Sequence, residues 1–105
     1  MTTIFPKQYD KIKKRHPDLL NAVEALGKAA RTEGPLDEKT GQLIQLAAAA
    51  AIRSEGAVHS HTRRAIDAGA RKDEIYHAVI LLTNTIGFPN VVAALSWADD
   101  VIEGS

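Results

Sequence analysis

Residues 43–51 read LIQLAAAAA, and residues 78–82 read AVILL. Neither stretch alternates between polar and apolar residues as a half-buried strand does, and both are rich in the helix formers alanine and leucine. We therefore expect each stretch to lie in a helix that is apolar on nearly every side. Because a surface helix keeps one polar face, these two helices should pack against each other and remain largely covered.

Proline and glycine interrupt the pattern on both sides of these stretches and predict further helices. Asp37 is a good N-cap for the helix that holds the alanine run, and Gly69 can end the next helix in the left-handed conformation. The predicted segments are residues 6–15, 18 to about 32, 37–51, about 54 or 57 to 68, 72 to about 86, and 89 to about 102. The sequence thus predicts an all-α fold of about six helices, in a single domain covering residues 1–105.

Composition excludes several classes of function. The chain has 105 residues, with 13 Lys and Arg against 13 Asp and Glu, and no cysteine. A balanced charge argues against a nucleic-acid partner, because binding phosphates requires a surplus of basic side chains. Without cysteine the chain has no disulfide, no thiolate nucleophile, no iron–sulfur cluster and no cysteine zinc site.

The sequence also gives an expectation about location. The longest apolar run, residues 46–52, is far shorter than the roughly 20 residues that span a bilayer. Residues 1–9 lack the apolar core of a signal peptide. We therefore expect a cytoplasmic protein that does not contact a membrane.

The size of the chain bears on its oligomeric state. A domain of this length buries only about 60–68% of the surface of its unfolded chain, so two apolar helices are difficult to cover within one subunit. We expect a homo-oligomer formed through the third and fifth predicted helices. The alternative is a central helix pair that is covered wholly within one chain.

Two of the histidines, His59 and His61, follow the helix break near residue 54. Residues two apart on a helix point about 200° apart, so this pair does not suit a single metal ion, and we predict no metal site. His61 shares a helical face with Ser54, while Glu55 lies near the same break and Gln42 lies on the preceding helix. A histidine near a helix start and a carboxylate suits proton transfer. The alternative is a histidine that only caps or hydrogen-bonds within the core.

An ordered series of short motifs resembles the carboxymuconolactone decarboxylase family, which also contains the alkylhydroperoxidase D enzymes. The series covers about two thirds of the chain. It consists of Leu36-Asp37-Glu38-Lys39, Leu43-Ile44, His61-Thr62-Arg63-Arg64-Ala65, Ala68-Gly69-Ala70, Asp73-Glu74-Ile75 and Gly87-Phe88-Pro89. The resemblance implies an alkylhydroperoxidase D-like helical domain that assembles as a hexamer or trimer.

Peroxidase members of that family carry two cysteines spaced C-x-x-C, a histidine four residues after the second cysteine, and an upstream glutamate that relays protons. The matching positions here hold Ser54, Ala57, His61 and Gln42, so only the histidine remains. A serine hydroxyl does not cycle through sulfenic acid and disulfide. Thiol peroxidase activity is therefore not expected.

The decarboxylase branch of the resemblance implies a lyase-like reaction on a small carboxylated molecule, without a cofactor and with His61 transferring the proton. The candidate catalytic residues are His61, Glu55 and His59, and the candidate substrate-binding residues are Ser54, Gln42, Arg63 and Arg64, with Arg53 as a further guanidinium for a carboxylate. Two alternatives stay open. One is a non-catalytic oligomeric binding module that has lost the family's peroxidase activity, and the other, the weakest, is a metal-dependent activity through His59 and His61.

Overall fold

The computed structural model describes residues 4–104, with side chains described from residue 7. The helices are α1 (Ile4–Arg15), α2 (Pro17–Thr32), α3 (Glu38–Ala51), α4 (Glu55–Asp67), α5 (Lys72–Ile80), α6 (Thr83–Ile86) and α7 (Phe88–Ile102). No strand occurs between residues 4 and 104, so the all-α prediction is confirmed. Residues 1–3 and 105 of the predicted domain lie outside the described residues.

The described chain divides into two compact units, residues 4–36 and residues 37–104. In the first unit, α1 and α2 are joined at Glu24, whose carboxylate accepts a hydrogen bond from the Tyr9 hydroxyl and lies 3.3 Å from the Lys13 ammonium. Exposed pairs of this kind contribute little to stability. The single domain over residues 1–105 stays a prediction.

Local signals fix the helix ends of the second unit, which holds α3 to α7. The Asp37 carboxylate caps α3 by accepting a hydrogen bond from the Thr40 backbone N–H at 2.7 Å. Gly69 follows α4 with a φ of 96°, and the Ala70 N–H donates to the Ala65 carbonyl at 2.9 Å. This hydrogen bond is that of a Schellman motif at the C-terminus of the helix. The two predicted cap residues therefore act as the sequence indicated.

Helix α4 packs against both α3 and α7 and forms the centre of the second unit. The buried apolar core consists of Leu46, Ala49, Ala50, Val58, Ala65, Ala70, Ile75, Val79, Val91, Ala94 and Ala98. Six of these side chains are alanines. Such small side chains let helix axes approach closely, so polar side chains on neighbouring helices come within hydrogen-bonding reach of α4.

The prediction of one helix over residues 72–86 is wrong at its middle. Helix α5 ends at Ile80, and the four-residue α6 follows after a turn. The Thr83 hydroxyl donates to the Ile80 carbonyl at 2.6 Å, and the Leu82 N–H bonds the Val79 carbonyl three residues back at 3.0 Å. These tighter bonds replace the regular helical pattern, because a threonine hydroxyl competes for backbone carbonyls.

Helices α3 and α5 are in contact, as expected from their apolar sequences. Large apolar side chains are still exposed here: Ile44 of α3 is 52% exposed, Ile80 at the end of α5 49%, and Leu81, the residue after α5, 66%. None of the helices between residues 4 and 104 combines the length and the apolar character that crossing a membrane requires.

Candidate functional site

Three polar residues are buried in the second unit: Gln42 is 1% exposed, His59 2% and Thr62 0%. Burying a polar group costs free energy unless it is hydrogen-bonded, so such positions are more informative than buried apolar ones. Gln42 and His59 each belong to a side-chain network that joins α4 to a neighbouring helix. Each network holds one of the two candidate histidines.

The first network joins α3 to α4 through Gln42. Its side-chain Nε2 donates to Oε1 of Glu38 at 3.0 Å, and its Oε1 lies 2.9 Å from Nδ1 of His61. Since a carboxylate only accepts, the amide nitrogen must face Glu38 and the amide oxygen must face His61. The amide oxygen also only accepts, so Nδ1 of His61 carries the proton that it donates.

This network determines the chemistry available at His61. In a neutral imidazole with the proton on Nδ1, the lone pair of Nε2 is the basic one. The half-buried ring is oriented by a buried amide, which in turn is oriented by Glu38, one helical turn earlier on α3. An imidazole oriented in this way can act as a general base, and as a general acid once it is protonated.

The second network joins α4 to α7. Nε2 of His59 lies 2.9 Å from Oδ2 of Asp100 and 3.9 Å from Oε2 of Glu55. The His59 side chain is only 3% exposed, whereas those of Glu55 and Asp100 are 58% and 50% exposed. Glu55 therefore lies beside His59, not in the Gln42–His61 pair. Because His59 bonds to α7 and His61 to α3, one metal ion shared by the two histidines does not fit the fold.

The remaining candidate residues have structural contacts of their own. The Ser54 hydroxyl is the N-cap of α4 and accepts a hydrogen bond from the Ala57 N–H at 3.3 Å. Burial, followed by the neighbouring charge of Arg64, lowers the pKa of the Arg63 guanidinium, while Asp67 opposes the shift. Arg64 is exposed.

Arg53 lies in the connection between α3 and α4, with the left-handed φ of 57°. Its guanidinium donates to the Asn90 side chain and lies 6.0 Å from the centre of the Trp97 ring. Both partners belong to α7, so the structure directs this side chain towards α7.

A groove of about 410 Å³ runs between α3 and α5, apart from both histidine networks. It is lined by Thr40, Leu43, Ile44, Ala47, Glu74, His77, Ala78, Leu81 and Leu82. At its polar edge, the hydrogen bond from the Arg71 backbone N–H and then the bond from Lys39 lower the pKa of the Glu74 carboxyl. The groove is mostly apolar, and His61 does not line it.

Sequence reasoning missed two residues of these networks, Glu38 and Asp100. Glu38 had a signal, since it precedes Gln42 by four residues and therefore shares its helical face. Asp100 is 41 residues from His59 along the chain, and only the packing of α7 on α4 brings the two together.

Comparisons with known proteins identify relatives. Residues 17–100 match the family model described as the carboxymuconolactone decarboxylase family. An uncharacterised protein of Methanocaldococcus jannaschii is 31% identical over 84 residues, which cover 80% of this chain and 78% of that protein. One of Haemophilus influenzae is 38% identical over 64 residues, which cover 61% of this chain and only 57% of that protein.

A crystal structure gives the corresponding likeness in fold. It is that of the apo form of a carboxymuconolactone decarboxylase family protein from Legionella pneumophila, with a TM-score of 0.80 and 25% sequence identity. The match covers 97% of both chains.

Proposed function

This chain belongs to the carboxymuconolactone decarboxylase family, and we propose that it acts on a small carboxylated organic molecule by proton transfer at His61. The observation that carries the proposal is the bonded series Glu38, Gln42 and His61. Its 3.0 Å and 2.9 Å hydrogen bonds put the proton on Nδ1 and leave Nε2 as the basic nitrogen.

The proposed chemistry uses that nitrogen. Loss of CO2 from a carboxylated molecule leaves an electron pair on carbon, and a proton must quench it. Nε2 of a positioned imidazole can take up a proton from solvent and then deliver it to that carbon, and general acid–base catalysis contributes about 10²–10⁴-fold to a rate. When His61 is protonated, the Gln42 oxygen still accepts from Nδ1, so the ring keeps its orientation through the step.

The absence of a thiol directs the proposal away from peroxide chemistry. These 105 residues contain no cysteine. Ser54, at a position where peroxidase members carry cysteine, instead caps α4 through its hydroxyl. An alkyl hydroxyl does not form the sulfenic acid and disulfide that thiol peroxidases require.

We assign the substrate carboxylate to Arg64. It follows His61 by three residues on α4 and therefore shares its helical face. Its guanidinium is exposed, and guanidinium matches the geometry of a carboxylate with two parallel hydrogen bonds. Arg63 is partly buried and, by helical spacing, points away from that face, so we expect it to contribute less to binding the substrate carboxylate.

The test is turnover of carboxymuconolactone, the compound in the family's name, measured as CO2 release by the purified protein. His61→Gln should lower the rate by about 10²-fold or more, and Arg64→Gln should raise KM. His16→Gln changes an exposed histidine between α1 and α2 and should leave the rate unchanged. Turnover that is absent in the parent protein, or equal in His61→Gln, would refute the proposal.

We further propose self-association through α3 and α5, as a hexamer or trimer. The support is the groove between these helices and the exposure of Ile44 and Leu81 along it, at 52% and 66%. A second copy would cover this apolar surface. Leu81→Glu should convert the assembly to single subunits in sedimentation experiments, while Ile66→Glu, on an exposed position of α4, should not. A parent protein that sediments as a single subunit would contradict this part.

The groove also favours a second candidate function, that of a non-catalytic oligomeric binding module. Its lining is mostly apolar and excludes His61, so a protein that uses this surface needs no proton transfer. An intact oligomer whose parent form and His61→Gln variant both lack turnover would favour this candidate.

A further inference from the structure

The α7-facing side of α4 brings together one imidazole and two carboxylates that the proposed reaction does not use. We propose that Glu55, His59 and Asp100 form a binding site for a divalent first-row transition metal ion, with Zn²⁺ as the reference ion. The sequence predicted no metal site because His59 and His61 point in opposite directions on α4, and only the fold places Asp100 beside that helix. The geometry, the local charge and the ligand types each support the site.

The spacing of the ligand atoms is close to what an ion requires. Nε2 of His59 lies 2.9 Å from Oδ2 of Asp100 and 3.9 Å from Oε2 of Glu55, and the three ligand atoms lie within 4.8 Å of one another. Metal–ligand bonds of about 2.0–2.2 Å put neighbouring ligand atoms roughly 2.8–3.6 Å apart in tetrahedral or octahedral geometry. His59 and Asp100 already have this spacing, and the exposed Glu55 side chain can rotate to reach it.

The local negative charge also favours binding of a cation. Two carboxylates share one imidazole, whose Nε2 can donate a single hydrogen bond, and at 3.9 Å Glu55 is beyond hydrogen-bond distance from that nitrogen. Asp100 lies in the last turn of α7, where the helix dipole is negative, and that turn contains no basic residue. An acid at a helix C-terminus is unfavourable by itself, and a bound divalent ion offsets both charges.

The ligand set selects the class of ion. An imidazole nitrogen with two carboxylate oxygens suits Zn²⁺, Mn²⁺, Fe²⁺ or Co²⁺, whereas Mg²⁺ and Ca²⁺ prefer oxygen ligands alone. The ion would replace the proton that Nε2 donates to Asp100. Three protein ligands leave coordination positions open for water, on the exposed side formed by the two carboxylates. The site faces α7, whereas the Gln42–His61 pair faces α3, so the inference does not depend on the proposed function.

The competing explanation is a hydrogen bond from His59 to Asp100 without any metal. The two explanations are distinguished by titrating untagged, chelator-treated protein with Co²⁺, whose visible absorption reports coordination by the protein. We expect one equivalent of Co²⁺ to produce absorption bands that Zn²⁺ then removes. Glu55→Gln and Asp100→Asn should each weaken binding about 10-fold or more, and His59→Gln should abolish it.

Controls match each ligand type. Asp67→Asn changes an exposed carboxylate at the far end of α4, and His77→Gln an exposed histidine on α5; both should bind Co²⁺ like the parent protein. Glu55 and Asp100 are half-exposed or more, so their variants should fold even if His59→Gln does not, which circular dichroism checks. The inference is overturned if the parent protein gives no absorption, or if binding is unchanged in Asp100→Asn.

Discussion

The two sides of α4 hold histidines two residues apart, in surroundings of different chemistry. His61 faces α3 and bonds the neutral amide of Gln42, which is buried. His59 faces α7 and lies between the carboxylates of Asp100 and Glu55, which are exposed. An amide orients an imidazole without changing its charge, whereas two carboxylates attract a cation. The packing partner, not the residue type, therefore decides what each histidine can do.

The largest expected effect comes from loosening the core that holds both sides in place. Leu46 is 0% exposed and lies one turn after Gln42 on α3. Leu46→Ala should lower the free energy of unfolding by about 2–5 kcal/mol, because it removes buried methyl groups and leaves a cavity. Urea denaturation measures the loss. Ile66→Ala, on an exposed position of α4, should cost much less, and an equal loss in both variants would contradict the burial of Leu46 in the core.

The next effect should change His61, which faces α3, and leave His59, which faces α7, unchanged. Gln42→Leu removes the oxygen that accepts from Nδ1 of His61 and leaves two groups without their buried partner, which should cost about 1–3 kcal/mol. The ¹⁵N NMR signals of the His61 ring should show Nδ1–H in the parent protein and lose that preference in the variant. His59 should keep its signals.

Gln45→Leu is the matched control for that variant. Gln45 bonds only the Gly41 carbonyl of its own helix among the contacts described for it, so its replacement should change stability by less than about 0.5 kcal/mol. An Nε2–H tautomer of His61 in the parent protein would contradict the assigned network.

A smaller effect is expected where α4 begins, because both histidines depend on that start. Ser54→Ala removes the oxygen that caps the Ala57 N–H and should cost about 1 kcal/mol. Ser60→Ala changes the same residue type inside α4 and should cause no loss, since alanine is the better helix former. Equal behaviour of the two variants in thermal unfolding would show that the cap contributes nothing.

The sequence predicted what depends on neighbours along the chain. Asp37 and Gly69 act over three or four residues, so their helix ends could be recognised without a structure. The opposite directions of His59 and His61 follow from the helical turn alone. The break after Ile80 was missed, because it depends on a side-chain bond from Thr83 within a stretch whose apolar pattern favours a continuous helix.

Contacts across helices account for the rest of what could not be predicted. The pairing of Asp100 with His59 could not be predicted, because nothing in either segment specifies which face of α7 meets α4. The prediction from sequence placed Glu55 near His61, since both lie near the start of α4. The i,i+4 spacing from Glu55 to His59 was the better guide.

The smallest expected effect concerns the hydrogen bond between Tyr76 and Asp99, the residue before Asp100 on α7. The Tyr76 hydroxyl donates to Oδ1 of Asp99 at 2.6 Å, and this bond, followed by burial and the charges of Asp99 and Glu103, raises the pKa of Tyr76 to about 12. Because the pKa is raised on folding, the stabilisation is fully present below the ordinary tyrosine value of about 10 and is lost as pH rises towards 12.

Tyr76→Phe tests this bond. The parent protein should be the more stable of the two near neutral pH, and the difference should shrink above about pH 10 as the unfolded chain ionises first. Denaturation at several pH values, together with ultraviolet titration of the phenolate, measures both quantities. A difference that grows with pH would show that Asp99 does not accept the bond. The Tyr76–Asp99 bond joins α5 to α7 and does not involve His59, so it should hold α7 in place when His59 is replaced. Asp100 should then keep its position even without its imidazole partner.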